Sequence, residues 1–313
     1  MKFFLAEFLG FSLLLSVALY LGSLHYGSPV ASSDFLDAII DKNAILDTTP
    51  SPRLIFCGGS NLAFGIDSKE IESKIGMRVV NLGLNGALGL EFMLNELRAS
   101  VKPNDIVILS IEYYLGIEGD YKTKKAASKN FPKALAFYHQ NPYQEINLFV
   151  DNITNGLKSN VEAITNPAEI EPNTTDNIYT RKAFNQYGDI VTHLDLAPSA
   201  TLADRSKKTY KHYPGITLLN QLADFAHNHH FKVYWLYPNF PQSEYDINRS
   251  VIEKYASDIS NELRIPILNS PQDFVFPDSL FFDTVYHLRR TGRKQRTEMI
   301  ISILQKNHIG ANQ

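Results

Sequence analysis

Leu54-Ile55-Phe56-Cys57-Gly58-Gly59-Ser60-Asn61-Leu62-Ala63-Phe64-Gly65 is the stretch on which the reading of this chain turns. Four apolar residues run into two glycines and a serine. A short continuous apolar run ended by turn residues reads as a strand buried on both faces, as in a parallel sheet. The glycines let the backbone turn sharply and leave Ser60 exposed at the start of the next segment, near the positive end of a helix. That is a serviceable position for a nucleophile. A phosphate-binding loop is the competing reading, but the Gly-Lys-Ser/Thr ending and the Gly-x-Gly-x-x-Gly spacing are both missing. Leu62 stands where a Gly-x-Ser-x-Gly elbow needs its last glycine, which disfavours an α/β-hydrolase.

Outward from this stretch, four further apolar runs at 78–82, 105–111, 231–237 and 265–268 repeat the strand signature. Stretches of helical periodicity at 68–75, 88–100, 215–229, 247–263 and 291–305 separate them. Strand and helix in alternation imply an α/β fold, here a flavodoxin-like three-layer sandwich with a five-stranded parallel sheet. One interval breaks the rhythm. Residues 113–214 are too many for a crossover and are expected to form a helical insertion over the C-terminal edge of the sheet, either a structural elaboration or a lid. The expected division is a membrane segment at 1–24, a linker at 25–52 and an α/β domain at 53–313.

The membrane expectation rests on the N-terminus. Between Phe3 and Leu24 the only charged residue is Glu7, and about 20 apolar residues span a bilayer as a helix. A cleaved signal peptide is the alternative; a small-x-small cleavage site is not evident, so an uncleaved anchor is preferred. Lys2 before the segment and Asp34 and Asp37 after it orient the bulk of the chain outside the cytoplasm.

Composition narrows the remaining classes. A net charge of -3 gives no basic face for nucleic acid. The single cysteine, Cys57, excludes an internal disulfide or a multi-cysteine metal site, and its apolar neighbours mark it as a core thiol. The nine histidines are scattered without a zinc-protease spacing, so neither metal nor cofactor is expected.

A serine nucleophile needs a base, and Phe281-Phe282-Asp283-Thr284-Val285-Tyr286-His287-Leu288 stands before the last helix. His287 can take the proton of Ser60, and Asp283 can hold the imidazole in the right tautomer. In open α/β sheets ligands bind at the carboxyl ends of strands, where all three residues should meet. Glu112, ending the third strand, is an acid/base or substrate-contacting candidate, or else a structural carboxylate. Asn239, after the fourth, can contact substrate. Arg289, Arg290, Arg293 and Arg296 form a basic stretch beside His287, read first as a solvated helix face and second as a contact for anionic polysaccharide or lipid.

Taken together, a Gly-x-Ser after the first strand, Asn81-Leu82-Gly83-Leu84-Asn85-Gly86 after the second, and an Asp-to-His pair before the last helix resemble blocks one, two and five of the SGNH (GDSL-like) hydrolase superfamily. The wording around Ser60 is similar to a branch of membrane-anchored bacterial envelope proteins, some of which work beside membrane-bound O-acyltransferases. The resemblance covers about 53–107 and 231–304. It implies Ser60 as nucleophile, with the N–H groups of Ser60 and Gly86 as oxyanion donors. Two departures stand out. The third strand ends Ser110-Ile111-Glu112-Tyr113-Tyr114 without the asparagine of the third block, leaving Asn61, Asn85 or Tyr113 to substitute. Three residues rather than two separate Asp283 from His287. The implied function is O-acetyl transfer or deacetylation of a cell-envelope polysaccharide, with transfer favoured by analogy. The implied partners are a glycan, the membrane and a membrane-bound acyltransferase. A catalytically weak scaffold that binds a glycan or such a partner is the rival.

Overall fold

The computed structural model describes residues 2–25, 34–165, 178–203 and 209–310. The chain divides into two compact units, Met1–Ser33 with His139–Asp176, and Asp34–Tyr138 with Asn177–Gln313.

The larger unit is α/β. Its main sheet has four parallel strands, β1 (Arg53–Gly58), β2 (Arg78–Asn81), β3 (Ile106–Ser110) and β4 (Lys232–Trp235), in the order β2-β1-β3-β4. Leu54 pairs with Val79 on one side and with Ile106 on the other, and Val107 pairs with Val233. A small parallel pair, β5 (Phe240–Pro241) and β6 (Val275–Phe276), lies apart from it. The expected fifth strand, 265–268, is only an isolated bridge: Ile267 opposes Trp235, Trp235 N–H donates to Pro266 O at 2.8 Å and Leu268 N–H to Trp235 O at 2.9 Å. Pro266 has no N–H to donate, which limits any ladder here.

After β1 the chain steps to β2 on one side, then crosses to β3 on the other. Such a reversal opens a crevice at the strands' carboxyl ends. Ser60 follows β1 and Glu112 follows β3, so both stand at that crevice. The helices that cover the sheet are amphipathic. Ser68–Ile75 buries Ile71 and Ile75, while Arg290–Lys306 buries Ile300, Ile301 and Leu304. These side chains join Leu54, Phe56, Ile106 and Ile108 in one core. The cap of the first of these helices is Asp67, whose Oδ1 accepts Glu70 N–H at 3.2 Å. Ser68, the first residue of the helix, donates its hydroxyl to Asp189 at 2.6 Å.

The expected linker, 25–52, is folded in part. A 3-10 turn at Asp34–Asp37 leads into a helix at Ala38–Thr48, burying Phe35, Ala38, Ile39, Lys42 and Leu46. Phe35, Ile39, Lys42 and Leu46 fall on one helical face. Lys42 is tolerated there because Nζ donates to Asn81 O at 2.9 Å and Gly188 O at 2.6 Å and lies 4.6 Å from the Phe184 ring centroid. Burial pulls its pKa down to about 7. The α/β unit therefore begins at Asp34 rather than Arg53.

The expected insertion, 113–214, does not behave as one block. Its helix Tyr121–Lys129, the turn Pro132–Ala136 and residues 178–203 belong to the larger unit, and the helix Pro142–Thr165 to the smaller one. Most of the polar stretch 167–179 lies outside the described residues. In the smaller unit, Pro142–Thr165 contacts Lys2–His25. Phe3, Phe4, Phe8, Leu9, Phe11 and Leu14 of the latter are exposed. Among the described residues, no helix is long and apolar enough to cross a membrane.

Candidate active site

Gly58 and Gly59 bring the end of β1 into contact with the end of β3. A Cβ on Gly58 would lie 2.0 Å from Ser110 O, and one on Gly59 would lie 2.3 Å from Glu112 Oε1. Only glycine admits this approach. Ser60 then opens the one-turn helix Ser60–Ala63. It is half-buried, and its side chain has no hydrogen-bond partner among the described residues.

The residues flanking Ser60 are fixed from both sides. Glu112 accepts Gly59 N–H at 3.2 Å and Asn61 N–H at 3.0 Å, one on each carboxylate oxygen. Arg296, fully buried, donates to Asn61 O at 2.6 Å, to Asn61 Oδ1 at 2.9 Å and to Ser110 Oγ at 3.0 Å. Asn61 Nδ2 donates to Ser110 O at 2.8 Å. Every polar group of Asn61 is therefore engaged, which removes it as a spare oxyanion donor. Burial pulls the Arg296 pKa down to about 9. Two of the four arginines expected on a solvated face are in fact interior, since Arg293 also donates to Ile66 O at 2.6 Å and Asp189 at 3.1 Å. Arg290 keeps to the surface and pairs with Asp195.

The loop after β2 is braced in the same way. Asn81 Nδ2 donates to Leu62 O and Asp189 Oδ1, while its Oδ1 accepts Gly83 N–H at 2.9 Å. Asn85 Oδ1 caps the turn Gly86–Leu88 by accepting Ala87 N–H at 2.8 Å, and its Nδ2 has no partner among the described residues. The N–H groups of Ser60 and Gly86 likewise have no acceptor among the described residues.

His287 is held differently. Its Nδ1 lies 2.8 Å from Asp283 Oδ1, across an imidazole that is almost wholly buried. The Tyr179 hydroxyl donates to Asp283 Oδ2 and lies 3.4 Å from His287 Nδ1. With Tyr179 donating to the carboxylate, the proton between Asp283 and the ring belongs to Nδ1, leaving Nε2 as the basic nitrogen. Burial alone would raise the Asp283 carboxyl, but the hydrogen bond and charge of His287, helped by Tyr179, leave it below its ordinary range. The ring stacks on Phe64 at 3.7 Å between centroids and 7° between planes. Phe64 N–H in turn donates to Ser60 O at 3.0 Å. The serine turn and the histidine loop thus adjoin, although no hydrogen bond joins Ser60 to His287 among the described residues.

A cavity of about 510 Å³ opens beside Ser60, lined also by Asn85, Gly86, Glu112, Tyr113, Tyr114 and Tyr286. Of the expected oxyanion substitutes, Asn85 keeps its Nδ2 donor, whereas Tyr113 N–H donates to Tyr286 Oη at 3.0 Å. The Tyr113 hydroxyl is buried without a partner among the described residues. Asn239 is fully buried, donates to Tyr286 O at 3.0 Å and does not line the cavity. That bond steadies the histidine loop.

Sequence reasoning missed three residues here: Phe64, Tyr179 and His193. His193 is wholly buried, with Nε2 2.8 Å from Leu288 O and Nδ1 unpartnered among the described residues. Its ring centroid lies 4.8 Å from that of Phe64, and burial pulls its pKa down to about 4. Tyr179 and His193 sit in aperiodic segments that carry no local signal. Comparison of the chain with models of known protein families finds no match, and comparison with curated proteins finds none either.

Proposed function

We propose that the protein performs acyl-ester chemistry, O-acetyl transfer or deacetylation, on a cell-envelope polysaccharide, with Ser60, His287 and Asp283 as its serine, base and orienting acid. The observation that carries this reading is the Asp283–His287 contact at 2.8 Å, which leaves Nε2 basic in the loop that adjoins Ser60. In the proposed chemistry, Ser60 Oγ attacks the ester carbonyl and gives its proton to His287 Nε2. The tetrahedral oxyanion is met by the unclaimed N–H groups of Ser60 and Gly86, with Asn85 Nδ2 as a third donor. His287 returns the proton to the departing alcohol, leaving acetyl on Ser60. Water or a sugar hydroxyl, activated by the same nitrogen, then takes the acetyl group.

The SGNH-like assignment belongs to this proposal and is supported by the order of the parallel strands and by the bridge at Ile267, where that fold has its fifth strand. Anchoring in a membrane, with the α/β unit outside the cytoplasm and a membrane-bound O-acyltransferase nearby, is proposed with it. The apolar side chains exposed along Lys2–His25 support association with lipid. A second reading, a weakly catalytic scaffold for a glycan or partner, draws on the absence of a Ser60–His287 hydrogen bond and on the carboxylate of Glu112 in the cavity.

The test is covalent labelling of the full chain with a fluorophosphonate probe, followed by acetyl release into water or into added glycan acceptors. Labelling at Ser60 that Ser60→Ala removes is expected, with acceptors accelerating release. Fast release insensitive to any glycan points to a plain esterase. Absence of labelling under all conditions favours the scaffold.

A further inference from the structure

The cavity beside Ser60 is walled by Tyr113, Tyr114, Phe240 and Tyr286, and among the described residues that line it Glu112 is the one carboxylic acid. No lysine, arginine or histidine lines it among the described residues. Glu112 is 5% exposed, and each of its oxygens accepts one backbone N–H, which leaves lone pairs for a ligand. The buried guanidinium of Arg296 feels the charge of Glu112 but spends its hydrogen bonds on Asn61 and Ser110, and makes no ion pair with Glu112 among the described residues, so the carboxylate oxygens stay open to a ligand's cation. A Cβ on Gly86 would lie 3.8 Å from the carboxyl carbon of Glu112, so the carboxylate borders one of the proposed oxyanion donors. An oxyanion formed there meets a like charge at close range in a partly desolvated site, which opposes reaction unless a cation offsets it.

Aromatic faces around a single carboxylate favour an ammonium group, because ring quadrupole and negative charge attract the same ligand while both disfavour an anion. We infer that the cavity selects a ligand bearing an ammonium group, seated against Glu112 and the tyrosine faces. This rests on the reading of Ser60 as an acyl-ester nucleophile in that it names the substrate class for the same site. Glu112 is on this view a specificity-determining residue, and the ammonium can belong to the acyl group or to the alcohol.

Equilibrium binding separates these sources without needing turnover. For the alcohol side, choline is compared with its neutral isostere 3,3-dimethyl-1-butanol; for the acyl side, glycine ethyl ester is compared with ethyl propionate. Calorimetry on the full chain in detergent should give at least one cationic member about tenfold tighter binding than its neutral twin. The preferred pair identifies the source. Glu112→Gln should bring the ratio close to one, and Glu112→Asp should retain part of it. Equal affinities within both pairs, or no binding of either cation at millimolar concentration, overturns the inference in the wild-type chain alone. So does a preference that survives Glu112→Gln. Labelling of Ser60 by fluorophosphonate is read in parallel. Labelling without cation preference sinks this inference only, whereas cation preference without labelling sinks the acyl-ester reading.

Discussion

Around Ser60 the chain is held by hydrogen bonds from both strand ends and from the last helix: Glu112 grips the two neighbouring N–H groups, and Arg296 grips the Asn61 carbonyl and amide. Around His287 it is held by ring packing on Phe64 and by a single carboxylate, itself steadied by Tyr179. The difference suits the roles. A nucleophile needs a fixed backbone so that its own N–H can meet the developing charge. A base that takes a proton from one oxygen and delivers it to another gains from a ring that slides on a flat neighbour while its tautomer stays set.

This contrast can be broken by mutation. Ser60→Ala should abolish probe labelling while changing stability by less than about 0.5 kcal/mol, since its side chain holds nothing; loss of the fold would show that the hydroxyl is structural. Arg296→Met leaves Asn61 and Ser110 with buried acceptors unsatisfied and should cost about 3–5 kcal/mol in denaturant unfolding. A cost below about 1 kcal/mol would mean that the serine turn is held from the Glu112 side alone.

The histidine side has its own signature in pH. His193 has a folded pKa of about 4, below its ordinary 6.5. Between those values the unfolded chain binds a proton that the folded chain refuses, so its contribution is present above pH 6.5 and is lost as pH falls towards 4. Unfolding free energies at pH 7 and pH 4.5 should therefore differ by about 2 kcal/mol more in the wild type than in His193→Gln. Identical slopes would show that the imidazole is hydrated. Tyr179→Phe should cost about 1 kcal/mol of stability and slow Ser60 labelling, with a smaller loss than in Asp283→Asn. A Tyr179→Phe protein labelled at the wild-type rate would remove the hydroxyl from the account of the base.

The same two regions differ in how well the sequence announces them. Gly58-Gly59-Ser60 and the Asp283-to-His287 spacing are local patterns, and the apolar runs around them mark the strands. The side chains that brace them are not local. Arg296 lies 235 positions from Asn61 and, read along its helix, looks like a solvated cation among three other arginines. Glu112 is visible as a residue at a strand end, but nothing in its neighbours says that two N–H groups of a distant turn will close on it. Tyr179 and His193 come from stretches without period. Helix Ala38–Thr48 was obscured for another reason: a lysine and an asparagine sit on its buried face, and only the carbonyls of Asn81 and Gly188 and the carboxyl of Glu96 make that acceptable. Burial has raised the pKa of that carboxyl to about 7.

The smaller unit joins two stretches that are far apart in the order of synthesis. Helix Lys2–His25 is translated before the helix it contacts, Pro142–Thr165, which follows only after more than a hundred intervening residues. At roughly 5–20 residues per second, that delay is on the order of ten seconds. For that interval, far longer than the microseconds in which a helix forms, Lys2–His25 must wait for the helix against which it packs in the smaller unit.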